Sequence, residues 1–201
     1  MDIKYYDLLS TAIIGIVIIA LVNYLFLGNV EINSIAYLAL GYVVGYFINA
    51  IGSLLEFIYY KTIGGMPSDI LLSPTEGKNW TGYKRIKYYE ASKAIETLKK
   101  ELNDPDASTQ RMFECAMRRV NGCKESRVPI FNAQFVWSRT ILTTVLVASI
   151  MFAFPFYDKW LFWLASISLL IISWIRFKER GFYYAREVLT EYIAKTTNAF
   201  F

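Results

Sequence analysis

The sequence predicts an all-α, polytopic membrane protein with four transmembrane helices and a small helical cytoplasmic lobe. Four apolar stretches are long enough, or nearly so, to cross a hydrocarbon core of about 30 Å, which needs roughly 20 helical residues. Glu56 is the only charged residue inside them. Hydrophobic residues make up 55% of the chain and charged residues 19%, a mixture typical of a membrane bundle with an aqueous part. The stretches are Leu9–Leu27, Ile35–Tyr60, Ile141–Tyr157 and Trp160–Ile175.

The first apolar stretch is interpreted as a retained helix and not as a cleaved signal peptide. No small-x-small cleavage pattern follows it, and the next apolar stretch begins within a few residues. It carries Gly15 and Asn23. We expect the Asn23 side chain to form a hydrogen bond with another helix.

The second stretch carries a face of small and polar residues. Gly41, Gly45, Asn49 and Ser53 recur every four residues, and Glu56 lies beside this face. Because polar groups are costly next to lipid, the face is expected to be a helix–helix interface or to meet water. Three interpretations stay open: packing within one bundle, contact between subunits, and the lining of a cavity.

Glu56 has two interpretations of its own. It could be a gating or proton-linked carboxylate inside the membrane. It could instead reach headgroup water, or pair with Lys61 or with a basic residue of another helix.

The sequence of the middle of the chain predicts an irregular segment at 61–80, followed by short cytoplasmic helices. Within that segment, 66–72 is apolar enough to lie along a membrane surface. Helices are predicted at about Tyr83–Leu102 and at about Thr109–Asn121. Ser108 or Asp106 is the expected N-cap of the second of these helices.

The last two spans are predicted to extend beyond the membrane. One helix should begin near Pro129 and continue unbroken into the third span, since no helix breaker precedes Pro155. The third and fourth spans should form a hairpin, because only a short turn separates them. Phe177–Thr197 continues the fourth span as a cytoplasmic tail, with Gly181 as an expected hinge.

The placement of positive charge predicts the topology. Of 21 basic residues, fourteen lie between Lys61 and Arg139 and five follow the fourth span. Cytoplasmic lysine and arginine are typical of membrane proteins, so both termini and the middle segment are expected in the cytoplasm. The predicted membrane is the plasma membrane, meaning the inner membrane of a bacterium or archaeon. The predicted parts, which form one cooperative unit, are 1–60 and 140–176 as transmembrane hairpins, 61–139 as a cytoplasmic segment and 177–201 as a cytoplasmic tail.

Little catalytic chemistry is visible in the sequence. Histidine is absent, and there is no phosphate-binding glycine loop, no metal-ligand cluster and no nucleophile–base triad, so we expect no cofactor, no metal and no enzymatic activity. The two cysteines are interpreted as ordinary thiols. A lipid-modifying enzyme stays as an alternative, with carboxylates as the acid–base candidates: Asp69, Glu76, Glu90 and Glu114.

Two basic clusters could bind phosphate groups or lipid headgroups. Lys84, Arg85 and Lys87 form the first and are interleaved with tyrosines. The second comprises Arg111, Arg118 and Arg119. Membrane lipid is therefore an expected partner, and a cytoplasmic protein or nucleotide could act as a trigger.

The layout of several spans, short outer loops and a compact basic cytoplasmic lobe resembles that of small prokaryotic membrane effectors in antiphage systems. These effectors accompany nucleic-acid or nucleotide sensing modules, and the resemblance rests on layout and on no single motif. It implies an effector that forms a homo-oligomer and permeabilises or perturbs the membrane, for instance as a pore in antiviral defence. An accessory or scaffold subunit of a larger membrane complex is the alternative.

Overall fold

The computed structural model describes residues 3–28, 30–31, 33–73, 88–121 and 126–198, and the regular structure of these residues is helical. A π-helical turn, Asn23–Leu27, directly follows the first helix. The second helix begins at Ser34. The α-helices are α1 (Ile3–Val22), α2 (Ser34–Ile63), α3 (Pro67–Leu71), α4 (Ala91–Leu102), α5 (Thr109–Val120), α6 (Val128–Phe156) and α7 (Trp160–Asn198).

Three of these helices, α2, α6 and α7, are long and apolar enough to cross a membrane. The apolar part of the first helical segment, Thr11–Leu27, is shorter. The prediction of an all-helical membrane protein is thus supported by these three helices. The fourth span, the orientation of the termini and the cytoplasmic place of the lobe stay predictions.

The long helices have the continuity that the sequence predicted. Helix α6 runs without a break from Val128 to Phe156 and contains Pro155 in its last turn, so the one backbone hydrogen bond that proline cannot donate is lost only at the helix end. Helix α7 follows after a short turn and continues for 39 residues. The rings of Phe156 and Phe162 lie 6.4 Å apart across this turn, as the predicted hairpin requires.

The shorter helices begin and end at recognisable signals. Helix α4 begins at Ala91, later than predicted, and ends at Asn103, which adopts a left-handed conformation with φ of 49°. Helix α5 is capped by Ser108, whose Oγ accepts a hydrogen bond from the amide of Arg111. This settles the choice of N-cap in favour of Ser108 over Asp106.

The chain divides into two compact units. Met1–Glu56 and Val136–Phe177 form what we call the apolar unit, and Phe57–Phe135 and Lys178–Phe201 form the charged unit. Helices α2, α6 and α7 each contribute residues to both.

The apolar unit has the distribution expected of a protein surrounded by lipid. Many of its large apolar side chains are exposed, with Leu54 at 81% and Phe154 at 84%. Small polar residues on α6 and α7 are buried instead: Ser138, Thr140, Thr143, Ser166 and Ser173. A water-soluble unit shows the reverse arrangement, so this pattern agrees with helices that could cross a membrane.

The charged unit has a conventional helical core. Helices α4, α5 and α7 each bury one apolar face, while most of their charged residues are at least partly exposed and Lys178 is buried. The segment 66–72, expected along a membrane surface, is instead partly helical, and its Pro67, Leu71 and Leu72 are buried. The buried apolar side chains that the three helices contribute to this unit are Ala94, Leu98, Met112, Ala116, Val120, Phe182, Ala185, Val188, Leu189, Tyr192 and Ile193.

Gly181, expected as a hinge, is a packing position in the middle of α7. A Cβ at this residue would lie 3.1 Å from the Pro67 ring and 3.3 Å from the Phe135 ring. The Phe135 ring also stacks on that of Tyr184, with centroids 5.9 Å apart and planes 6° from parallel. The glycine therefore allows α3, α6 and α7 to approach one another within the charged unit, and the helix continues through it.

Candidate functional site

The glycines of α2 pack against α1 of the same chain. A Cβ on Gly45 would overlap the carbonyl oxygen of Thr11, and a Cβ on Gly15 would overlap that of Gly41. Only glycine allows two helix backbones to approach so closely. Gly41 and Gly45 are therefore buried in a contact between helices of one bundle, with Gly15 as their counterpart on α1.

Apolar side chains surround this glycine contact. Ile14 and Ile18 of α1 form a buried cluster with Ile48 of α2. Trp137 and Val147 of α6 pack against the same cluster. Thus α1, α2 and α6 are held together in the apolar unit, which fixes the polar positions that come next along α2.

Asn49, one turn after Gly45, contacts polar groups of α6. Its side-chain oxygen accepts hydrogen bonds from Arg139 Nη2 and from Thr140 Oγ1, both at 3.2 Å. Arg139 is only 9% exposed and Thr140 only 4% exposed. The polar face of α2 thus meets protein at this level.

Glu56 completes the contact between the two helices. Arg139 Nη1 donates a hydrogen bond of 2.5 Å to Glu56 Oε2, and the pair is also an ion pair. The side chains are 11% and 24% exposed, respectively. Among the interpretations of Glu56, this geometry is that of a carboxylate paired with a basic residue of another helix. Lys61 instead lies over the Phe57 ring, 4.3 Å from its centroid.

Gly52 brings α2 close to α6 between Asn49 and Glu56. A Cβ at Gly52 would lie 2.8 Å from Thr143 Oγ1 and 3.6 Å from Thr143 Cβ. Thr143 is fully buried, and its hydroxyl donates to the carbonyl oxygen of Arg139. We name the group of Asn49, Glu56, Arg139, Thr140 and Thr143 the polar network.

The polar network is incompletely satisfied. Arg139 Nε is buried and has no hydrogen-bond partner among the described residues. Desolvating an ion of this kind costs several kcal/mol, which its partners offset only when every donor is used. An ionisable pair of this kind, inside helices that are otherwise apolar, is the strongest functional candidate in the described part of the chain.

Two residues of the predicted membrane part lie elsewhere. Ser53 is exposed and does not join the polar network. Asn23 does not reach another helix, since its side chain donates to the carbonyl of Val30 and accepts from the amide of Val30, both at 2.9 Å. It therefore closes the connection after α1, and its predicted role was wrong.

The predicted phosphate-binding residues are only partly described. Lys84, Arg85 and Lys87 lie outside the described residues. In the charged unit, Arg111 pairs with Asp104 at 2.7 Å and Arg119 with Glu101 at 3.3 Å. Arg118, on the same helix, is exposed. The exposed fractions of the Arg111 and Arg119 side chains, 60% and 64%, leave both guanidinium groups accessible to solvent.

Glu101 joins three helices of the charged unit. It pairs with Arg119 of α5, and its second oxygen accepts a 2.6 Å hydrogen bond from the fully buried Tyr192 of α7. Burial raises the pKa of the nearby Cys115 thiol, and the Glu101 charge raises it further. Cys115 is half-buried, and Cys123 lies outside the described residues.

The carboxylates considered for catalysis lie apart from the polar network. Asp69 accepts a hydrogen bond from Thr109 Oγ1, and Glu114 accepts one from Gln110. Glu90 is exposed, and Glu76 lies outside the described residues. Within the described ranges, no three histidine, cysteine or acidic residues are grouped so that they could hold a metal ion.

Comparisons with known proteins bear on none of these assignments. No protein-family model matches the chain, and neither the curated proteins nor the solved structures contain a match.

The sequence did not single out the three network residues of α6, which are Arg139, Thr140 and Thr143. Arg139 lies just before the third apolar stretch, where a basic residue is ordinary. The useful signal was Glu56, because one carboxylate in four apolar stretches requires an opposite charge. Lys61, Arg139 and Arg176 all lie near stretch ends, and sequence spacing does not choose among them.

Proposed function

We propose that the protein is a multi-span membrane effector that perturbs or permeabilises the membrane when a signal reaches its charged unit. The polar network between α2 and α6 carries the proposal. Its buried Arg139–Glu56 pair places charge where the surrounding helices are apolar, which is costly and typical of residues with a function in the membrane.

The proposal includes four spans with both termini and the charged unit in the cytoplasm. Exposed apolar side chains on the apolar unit and outward charges on the charged unit support a division between lipid and water. The positive-inside rule supports the orientation, since the basic residues concentrate between Lys61 and Arg139.

The signal would be received on the charged unit and passed along continuous helices. Helices α2, α6 and α7 contribute residues to both units without a break. Solvent-accessible arginines, among them Arg111, Arg118 and Arg119, suit a phosphate-bearing trigger or an anionic lipid headgroup.

Assembly into a homo-oligomer, if the effector forms one, would use a surface other than the two glycines. Gly41 and Gly45 already contact α1, so a second copy cannot use the same positions without displacing that helix. Exposed apolar residues of α2 that face away from α1, such as Tyr46 and Leu54, would be available.

The experiment is a measurement of membrane potential, with a voltage-sensitive dye, in bacteria induced to express the chain alone. We expect depolarisation by the wild type and by Ala39→Leu, which adds volume at an exposed position of α2. Gly45→Leu, which separates α1 from α2, should abolish it. An unchanged potential at good membrane expression would contradict an effector that is active when expressed alone, and would favour a subunit that depends on a signal or on a partner in a larger complex.

A further inference from the structure

The polar network has more than one way to satisfy its hydrogen bonds. The Thr140 hydroxyl has a single proton, yet it lies 2.9 Å from the Val136 carbonyl oxygen and 3.2 Å from Asn49 Oδ1. It can donate to only one of them at a time. Asn49 Oδ1, in turn, is shared between Thr140 and Arg139.

The guanidinium of Arg139 is also not fully used in this arrangement. Nη1 and Nη2 have partners on α2, while the buried Nε has none among the described residues. A partly satisfied buried network stabilises its conformation less than a complete one, so a second arrangement can lie close in free energy.

We propose that the contact of Arg139 with Glu56 and Asn49 is a latch, which holds α2 against α6 in the resting state and opens when the protein acts. That opening leads to perturbation of the membrane rests on the proposed function, whereas the opening of the contact does not. The residues that the latch joins belong to the apolar unit alone, and the backbone approach at Gly52 is the point where the two helices would separate.

The geometry at Gly52 allows the latch to be fixed covalently. Disulfides join Cβ atoms about 3.5–4.5 Å apart, and a Cβ at Gly52 lies 3.6 Å from that of Thr143. Gly52→Cys with Thr143→Cys, in a background of Cys115→Ser and Cys123→Ser, should therefore cross-link α2 to α6 on mild oxidation. Protection of both thiols from a polyethylene glycol maleimide reports the bond on a gel.

The first test is the rate of cross-linking in isolated membranes. Adding Glu56→Gln should slow it about tenfold, the size of coupling seen between contacting residues. Glu31→Gln, which removes an exposed carboxylate from the same unit, should leave the rate unchanged. Should Glu56→Gln fail to accumulate, Arg139→Lys replaces it, because it keeps the charge but loses the two-sided contact. A rate that neither variant slows would overturn the latch.

The second test uses the same cysteine pair in the membrane-potential measurement. The oxidised pair should leave cells polarised, and a reductant should restore depolarisation. Depolarisation by the fully cross-linked protein would overturn the latch. If Glu56→Gln slows cross-linking but no form depolarises cells, the latch stands and an effector that is active when expressed alone is excluded.

Discussion

Arg139 of α6 donates a hydrogen bond to the carboxylate of Glu56 on α2, although the two residues are 83 positions apart in the chain. The contact joins helices that are otherwise packed through glycine, threonine and isoleucine. It is an ion pair between two different helices of the apolar unit.

Removing one member of the Arg139–Glu56 pair should be more harmful than removing both. Arg139→Gln or Glu56→Gln leaves the other charge without this partner in a largely buried site, which should lower the free energy of unfolding by up to about 3–5 kcal/mol. The double variant should lose less than the sum of the two. Unfolding by a denaturing detergent in mixed micelles, followed by circular dichroism, measures this, and additive losses would refute coupling between the two residues.

The contact between α1 and α2 should not tolerate a single methyl group. Gly15→Ala places a Cβ on the carbonyl oxygen of Gly41, so the helices must separate. We expect a loss of about 1–3 kcal/mol or more, as for other overpacked positions. Thermal unfolding in detergent measures it. Ala39→Leu serves as the control, and equal melting temperatures for the two variants would exclude close packing at Gly15.

Gly181 should behave as a packing residue and not as a hinge. Gly181→Leu would force its side chain into the Pro67 and Phe135 rings and should lower stability by about 1–3 kcal/mol. Ala194→Leu, at an exposed position of the same helix, should be nearly neutral. Denaturant unfolding compares them, and a hinge would instead give a stable Gly181→Leu protein with altered function.

Glu101 should stabilise the protein mainly through its hydrogen bond with Tyr192 and much less through its ion pair with Arg119. Glu101→Ala leaves the buried Tyr192 hydroxyl without its acceptor, a loss of about 1–3 kcal/mol. Tyr192→Phe in the same chain should recover part of that loss. Arg119→Ala should cost less than about 1 kcal/mol, since the Arg119 side chain is 64% exposed. The test compares the free energies of unfolding of the wild type, Glu101→Ala, the double variant and Arg119→Ala. An Arg119→Ala variant as unstable as Glu101→Ala would contradict the larger role of Tyr192.

The reactivity of Cys115 should report its surroundings. Burial and the Glu101 charge raise the pKa of this thiol, while Arg119 and Arg118 lower it. Because only the thiolate reacts, maleimide labelling in a Cys123→Ser background should be slow near neutral pH and should accelerate as pH rises. Glu101→Gln should lower the pKa and speed labelling, and Arg119→Gln should slow it. The opposite order would contradict these charge effects.

Much of the fold could be predicted from the sequence because its signals are local. Apolar length predicted the long helices, the absence of breakers predicted the continuity of α6, and Ser108 was one of two expected N-caps of α5. Each of these depends on residues within one or two turns. The prediction that 66–72 lies along a membrane surface was wrong, because apolar composition alone does not say whether a segment contacts lipid or a protein core.

The site could be predicted only in part, since its partners come from distant positions. Gly41, Gly45 and Asn49 were found from their spacing on one helix face, whereas Ser53, predicted on the same face, is exposed. Glu56 was found as the only charged residue in the apolar stretches. Their counterparts Gly15, Arg139 and Thr143 lie on other helices, and no local rule links them. The prediction for Asn23 was wrong because an amide side chain forms hydrogen bonds with nearby backbone groups as readily as with a group on another helix.

The proposed function requires four spans with the charged unit in the cytoplasm. Cysteine accessibility in intact cells tests this arrangement most directly. Single cysteines would replace Glu31, Lys159 or Lys93, all exposed, in the Cys115→Ser and Cys123→Ser background. A membrane-impermeant maleimide should label Glu31→Cys and Lys159→Cys in intact cells. It should label Lys93→Cys only after the membrane is permeabilised. Labelling of Lys93→Cys in intact cells, or protection of Glu31→Cys, would contradict the arrangement.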